Sequence, residues 1–314
     1  MTFDAFSREF IDVAAGRVFL RRGGTGPAVL LLHGYPETNL AWRKVAPYLA
    51  NEFTIVAADL PGYGESTLSD AVFDDGRVSK RSMARAVADA MTELGISQYA
   101  VVGHDRGARV AYRLALDQPT RIRALAVLDV IPILDMAERL TYEAARQMGH
   151  WLWLSQPSTV PETLVGLDPD LYVRHIIEEW GGSGAIEGET VDEYVRCMRN
   201  PAVLRTMGAE YRADLLDLEH DRADRVAGRR ITCPLLALWA KGGLPEQFGD
   251  PLAIWRTWAH DVDGRALAGG HFLMEGSPQE MKALMRPFLK EAFREQPEPV
   301  AGISPIRSSA HRPG

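Results

Sequence analysis

Val101-Val102-Gly103-His104-Asp105-Arg106-Gly107-Ala108-Arg109 sets a short apolar strand against a Gly-x-Asp-x-Gly turn, with helix-forming residues behind it. This is a nucleophile elbow in which Asp105 replaces the usual serine. Gly103 and Gly107 let strand and helix approach closely. Acyl transfer needs a hydroxyl or thiol, whereas a carboxylate displaces halide from, or opens an epoxide at, a saturated carbon, leaving an alkyl-enzyme ester that water cleaves. Arg106 follows the nucleophile directly, and Arg109 lies three residues on, near the same helical face. Two guanidinium groups at the positive end of a helix dipole suit an anionic substrate held by bidentate hydrogen bonds. The plainer reading is structural ion pairing with core carboxylates. The substrate clamp is the expectation carried forward for both.

An ester intermediate needs a base for its hydrolysis, and the base needs an orienting acid. His271 follows Gly269-Gly270 after the last predicted strand, where α/β-hydrolases place the histidine of the order nucleophile, acid, base. The acid can follow either of two strands. After Trp239 the chain reads Ala240-Lys241-Gly242-Gly243, without a carboxylate, whereas Val127-Leu128-Asp129 puts one at a strand end. Asp129 is therefore the expected acid, fixing the His271 tautomer. His33-Gly34-Tyr35-Pro36 follows a buried strand, in the position of an oxyanion-hole loop, so the backbone N–H groups of Tyr35 and Arg106 are the expected donors. His33 and His104 read as bracing residues.

These residues need a frame to converge. The opening hairpin is expected at 10–13 and 18–21, with buried strands at 28–32 and 53–58. A helix over 82–94 then precedes a strand at 99–102, the elbow helix to about Leu116 and a strand at 124–128. This is an α/β chain with a mostly parallel, doubly wound sheet. From Ile131 the character changes: helical patterns broken by Pro157, Pro161, Pro169, Gly181, Gly182 and Pro201 contain no convincing strand. Strands return at 234–239 and 265–267 before a closing helix over 278–294. The expected organisation is a core of residues 1–130 and 229–295, a helical cap of 131–228, and a disordered tail of 296–314. The charged stretch Asp217 to Arg230 reads as a solvated return from cap to core.

At 314 residues the chain is long enough for a sizeable core with an inserted cap, and its net charge of −7, with basic residues scattered, excludes nucleic acid as a natural partner. An anionic substrate must be attracted locally. Cys197 and Cys233 lack metal or redox spacing. No signal peptide or bilayer-length apolar run is read, so a cytoplasmic location without membrane association is the expectation. Neither step calls for a metal or organic cofactor.

With the Gly103 to Arg109 elbow, Asp129 and Gly269-Gly270-His271 in place, the chain resembles the fluoroacetate (haloacetate) dehalogenases of the α/β-hydrolase superfamily. The likeness runs from about Phe19 to Phe293. It implies the α/β-hydrolase fold, hydrolytic dehalogenation of small 2-haloacids with water as co-substrate, and a homodimer. It also implies a halide pocket, carried by the matching motifs Met148-Gly149-His150-Trp151 and Glu210-Tyr211-Arg212: His150, Trp151 and Tyr211 would receive the halide. Haloalkane dehalogenases and epoxide hydrolases typically carry tryptophan after the nucleophile, a position held here by Arg106. The segment Tyr35-Pro36-Glu37-Thr38 departs from the family's Phe-Pro-Gln-Asn, and Glu37 resembles the epoxide-hydrolase version. An epoxide hydrolase using the same triad is the alternative, and a non-catalytic receptor on a hydrolase scaffold is a more distant one.

Overall fold

The computed structural model describes residues 2–74 and 78–294. The expected disordered tail lies outside them. Nine strands form one sheet: β1 (Ser7–Val13), β2 (Gly16–Gly23), β3 (Ala28–Leu32), β4 (Thr54–Ala58), β5 (Thr67–Leu68), β6 (Tyr99–His104), β7 (Ile122–Leu128), β8 (Leu235–Ala240) and β9 (Val262–Leu267). Their order is β1-β2-β4-β3-β6-β7-β8-β9, with the short β5, which the sequence pattern did not suggest, paired to β2. The β1–β2 hairpin and the β2–β4 and β2–β5 pairs are antiparallel, and the run β4-β3-β6-β7-β8-β9 is parallel.

The apolar runs follow from burial on both faces. Alternation sends Leu30, Leu32 and Val101 into one core layer and Val29, Leu31 and Val102 into the other. The first layer is covered by the helices Lys80–Glu93 and Asp105–Asp117, through Met83, Val87 and Val110, and the second by Pro278–Ala292, through Met281, Met285 and Leu289. Ser79 caps the first of these helices, its side chain accepting from the Ser82 N–H, so the helix begins at Lys80, two residues before the sequence expectation.

Register decides where the chemistry sits. Leu32 pairs with Gly103, His104 with Leu128, and Leu128 with Leu238, so the carboxyl ends of β3, β6, β7 and β8 finish side by side. The residues that follow them, His33 to Glu37, Asp105, Asp129 and Lys241, therefore share one rim, the usual ligand edge of a parallel sheet.

Among the described residues, eight helices and no strand separate β7 from β8: Ile133–Glu138, Tyr142–Gln147, Gly149–Leu154, Val160–Leu167, Pro169–Gly181, Gly188–Met198, Pro201–Arg212 and Asp214–Val226. The helical pattern is interrupted at Pro161, Pro169 and Pro201 as expected, each lying in the first turn of a new helix, where a missing N–H costs nothing. The last of these helices qualifies one expectation. Asp214, Asp217, Asp221 and Asp224 are all buried, so the stretch from Asp217 to Arg230 is solvated on one face only: Glu219, Arg222 and residues 225–229 are exposed, while the other face lays an acidic stripe, spaced by three and four residues, against the elbow helix. No helix among the described residues is long and apolar enough to cross a membrane.

Candidate active site

Asp105 sits at φ 45°, in the left-handed region, between the end of β6 and the first turn of the elbow helix. Its neighbours explain how the turn is tolerated. A Cβ on Gly103 would lie 2.4 Å from the Gly107 carbonyl oxygen, and one on Gly107 would lie 2.2 Å from that of His33. Both positions are closed to larger residues. The carboxylate points at the loop after β3, where Oδ1 accepts the Tyr35 N–H at 3.0 Å. The Arg106 N–H lies in the first turn of the helix, where no intrahelical acceptor exists. These are the two backbone donors expected for the ester carbonyl.

Asp129, at φ 54°, projects from the end of β7 and uses both oxygens: Oδ1 accepts the Ala240 N–H at 2.8 Å, and Oδ2 accepts His271 Nδ1–H at 2.6 Å. The proton on Nδ1 leaves Nε2 facing Asp105, 3.9 Å from Oδ2 and without a hydrogen-bond partner among the described residues. That separation exceeds a direct hydrogen bond and suits a bridging water. Burial opposes charge on the His271 imidazole, but the Asp129 hydrogen bond and the Asp129 and Asp105 charges outweigh it, raising its pKa to about 9. Burial likewise raises the Asp105 carboxyl, but His271, His104, Arg106 and the Tyr35 N–H prevail and hold it below the ordinary carboxylate range. The resting pair is thus carboxylate and imidazolium.

The two arginines part company. Arg106, expected at the substrate, is 2% exposed and turns into the acidic stripe: Nε donates to a Glu210 oxygen at 2.7 Å and Nη2 to Asp214 Oδ1 at 3.0 Å. Lys80 joins the same cluster, pairing with Glu210 and with Asp214 at 3.1 Å and Asp217 at 3.3 Å. A guanidinium already satisfied by two buried carboxylates has little left to offer a third, so the structural ion-pair reading holds for the Arg106 side chain. Arg109, also buried, has no carboxylate partner among the described residues. Its Nη atoms make only 3.5 Å contacts to the Ile131 carbonyl and Met136 Sδ, and Nε has no acceptor. Its guanidinium lies 4.5 Å from the Trp151 ring centroid.

A cavity of about 480 Å³ opens between sheet rim and cap, and its wall includes Asp105, Arg109, Asp129, His150, Trp151 and His271. Arg106 and Tyr211 are absent from that wall among the described residues. Tyr211 packs edge-on against His150, Trp151 and Tyr35 at 6.4, 6.3 and 5.5 Å, while the Arg106 guanidinium covers its ring at 3.8 Å. Burial pushes the His150 imidazole down to about 4 and raises the Tyr211 phenol, so a neutral ring N–H and a phenolic O–H are the species present near neutral pH.

Trp180 escaped the sequence reading. Its ring lies 4.4 Å from His150 and 5.5 Å from His271, and its carbonyl accepts the His271 N–H at 3.0 Å. The only local signal was an aromatic residue before the Gly181-Gly182 pair that ends its helix. His33 and His104 brace the site: His33 Nε2 accepts the Leu60 N–H at 2.9 Å, and Nδ1 donates to the Gly34 carbonyl. His104 Nε2 donates to the His271 carbonyl at 2.9 Å, and its Nδ1 meets Glu37 Oε2 at 2.8 Å. Glu37 is thereby tied to His104 and to the Gly34 N–H, not to either arginine.

Sheet order, elbow and Asp-His-Asp set define an α/β hydrolase, and a profile of the alpha/beta hydrolase fold matches residues 27–243; the chain belongs to that family. Within it the chain is 38% identical to the fluoroacetate dehalogenase of Burkholderia sp. over 92% of its own length and 96% of that relative. It is a member of the haloacetate dehalogenase family. It is also 31% identical to a soluble epoxide hydrolase of Corynebacterium sp. (strain C12), over 82% of this chain and 87% of the other. A mutant protein of Pseudomonas aeruginosa, provisionally named an epoxide hydrolase and solved with bound MFA, superposes with a TM-score of 0.89 at 40% identity, covering 94% of this chain and all of that one.

Proposed function

We propose that this hydrolase removes halide from small 2-haloacids, converting haloacetate to glycolate through an ester on Asp105. The observation that carries the reading is Arg109, a buried cation on the cavity wall beside the nucleophile with no carboxylate of its own. Leaving such a charge unpaired is costly, and a substrate carboxylate supplies the missing partner. With the acid held there, Asp105 Oδ2 attacks the halogen-bearing carbon, and the carbon–halogen bond breaks on the far side. His150, Trp151 and Tyr211 are assigned to the leaving halide, whose growing charge needs hard N–H and O–H donors set in advance. Tyr211, off the cavity wall, packs edge-on against His150 and Trp151 with its ring clamped by Arg106. Water, deprotonated by His271, then adds to the Asp105 carbonyl carbon while the Tyr35 and Arg106 N–H groups stabilise the oxyanion. Collapse releases the 2-hydroxyacid and restores the carboxylate.

Glu37, bonded to His104, leaves the arginine's field free for an anion. An epoxide hydrolase would share the triad but give Arg109 no role. The test is halide release from chloroacetate and fluoroacetate by wild type, Asp105→Asn and Arg109→Met, with single turnover in labelled water. Halide release lost in both variants, with one heavy oxygen appearing in the Asp105 peptide, is the expected result. Styrene oxide turnover exceeding that of both haloacids would reassign the enzyme.

A further inference from the structure

His271 is held at three points, and one of them belongs to the cap. Asp129 fixes the ring, His104 Nε2 donates to the backbone carbonyl, and the backbone N–H donates to the carbonyl oxygen of Trp180 at 3.0 Å. Trp180 is the penultimate residue of the cap helix Pro169–Gly181, so its carbonyl has no intrahelical partner and is free to accept. Two glycines let the chains meet. A Cβ on Gly270 would lie 2.7 Å from that carbonyl oxygen, too near for any side chain, and 3.0 Å from Gly181 Cα. A Cβ on Gly181 would lie 2.8 Å from the ring of Phe272, the buried residue that follows the base. Neither glycine has a positive φ, unlike their neighbours Gly269 at 112° and Gly182 at 85°. The neighbours turn the chain, whereas Gly181 and Gly270 make room for the contact.

We propose that Gly181 and Gly270 are positioning residues for the second step of the reaction: the backbone contact they permit lets the cap set the place of the His271 imidazole beside Asp105. The inference rests on the two-step dehalogenase reading and gives the cap a task beyond enclosing the cavity. The two steps depend on the base unequally. In the first, Asp105 bonds to carbon as the carbon–halogen bond breaks. Its carboxylate is aimed by the Tyr35 N–H, and a small shift of the imidazole leaves it ionised at neutral pH. In the second, Nε2 must take a proton from the water that attacks the ester carbonyl carbon, in the 3.9 Å space between Nε2 and Oδ2. One water bridges that gap, and a misplacement of about 1 Å costs about 100-fold. A methyl at Gly270 presses on the Trp180 carbonyl and one at Gly181 presses on Phe272, and either displaces the histidine that lies between Gly270 and Phe272.

The experiment mixes enzyme in excess with chloroacetate and follows chloride and glycolate separately, in wild type, Gly181→Ala, Gly270→Ala and the double variant. Gly181 is off the cavity wall among the described residues, and alanine suits a helix better than glycine, so Gly181→Ala does not weaken the cap helix itself. The expected result for Gly181→Ala is chloride release within about threefold of wild type and glycolate release slower by about tenfold or more, with added mass on the Asp105 peptide. The double variant should lose less than the product of the single losses, since both methyls break one contact. Unchanged glycolate release, chloride release slowed in the same proportion, or losses that simply multiply would overturn the positioning role and leave dehalogenation standing. No chloride from wild type would overturn the dehalogenase reading and this role with it. Either single variant suffices for the comparison of rates. Amide exchange in wild type tests the contact itself: the His271 N–H should be protected, and exchange at the rate of an open amide would overturn the proposal even if neither variant folds.

Discussion

Replacing Asp105 by asparagine removes one negative charge 3.9 Å from His271 Nε2 while preserving shape and an acceptor for the Tyr35 N–H. Two unit charges near 4 Å interact by about 1 kcal/mol in water and about 4 kcal/mol at the effective dielectric common in proteins. At ~1.36 kcal/mol per pKa unit, the imidazole should fall by about 1 to 3 units from its value of about 9. The sign is fixed: an anion favours the imidazolium, so its removal lowers the pKa. The assay is an NMR titration of the imidazole resonances, with His271 identified by its loss in His271→Gln. An unchanged or raised pKa would refute the coupling. The same charge vanishes whenever Asp105 becomes an ester. In the resting enzyme His271 is an imidazolium that helps keep Asp105 ionised. Alkylation removes the reason for that charge, and the ring loses its proton in time to act as base. The kcat of ester hydrolysis should therefore rise with pH through an apparent pKa below that of the free enzyme.

Asp129→Asn should trap the intermediate, giving a stoichiometric burst of halide and a steady state slower by about 10³-fold or more, seen as added mass on the Asp105 peptide. Arg106→Met leaves two buried carboxylates, Glu210 and Asp214, with Lys80 alone as cationic partner and should cost about 3–5 kcal/mol in denaturant unfolding. Arg109→Met, removing a cation without a carboxylate partner, should leave stability within about 1 kcal/mol yet lower haloacid kcat/KM by about 100-fold, the opposite pattern. Glu37→Gln removes a charge that helps hold His271 protonated, so the acid limb of the kcat profile should move to lower pH with KM unchanged.

The grouping of Asp105, Asp129 and His271 was legible because these residues sit where backbone geometry leaves little choice: Gly103 and Gly107 announce the elbow, and a carboxylate directly after the β7 run leads to Asp129. The separate fates of Arg106 and Arg109 were not legible. Positions three apart on one helix give both the same local signature, and only the packed position of Glu210 and Asp214 distinguishes them. The acidic stripe hid for a related reason. Its spacing of three and four is present in the sequence, but charged residues on a helix normally face water, and the basic side chains that overturn this lie about a hundred residues or more away. Trp180 carried no signal beyond its place before Gly181-Gly182, since its position beside His271 arises from the cap folding back over the rim. Prolines marked the interruptions correctly, with Pro161, Pro169 and Pro201 each opening a new helix.

The buried ionic layer also bears on inheritance. Arg106 and Arg113 of the core helix, with Lys80, grip Glu210, Asp214, Asp217, Asp221 and Asp224 of the segment that closes the cap, and Tyr112 adds a hydrogen bond to Asp221 at 2.9 Å. Lids of this architecture invite exchange between relatives as interchangeable modules. Here the graft boundary runs through the ion layer, so a donor lid without the matching carboxylates would strand Lys80 and Arg106 and leave Arg113 only Asp117 of its own helix. Recombination is thereby constrained: residues 210–224 must travel with the elbow helix and Lys80. The residue beside the nucleophile is thus held in place by epistasis with the lid's final helix as well as by the reaction.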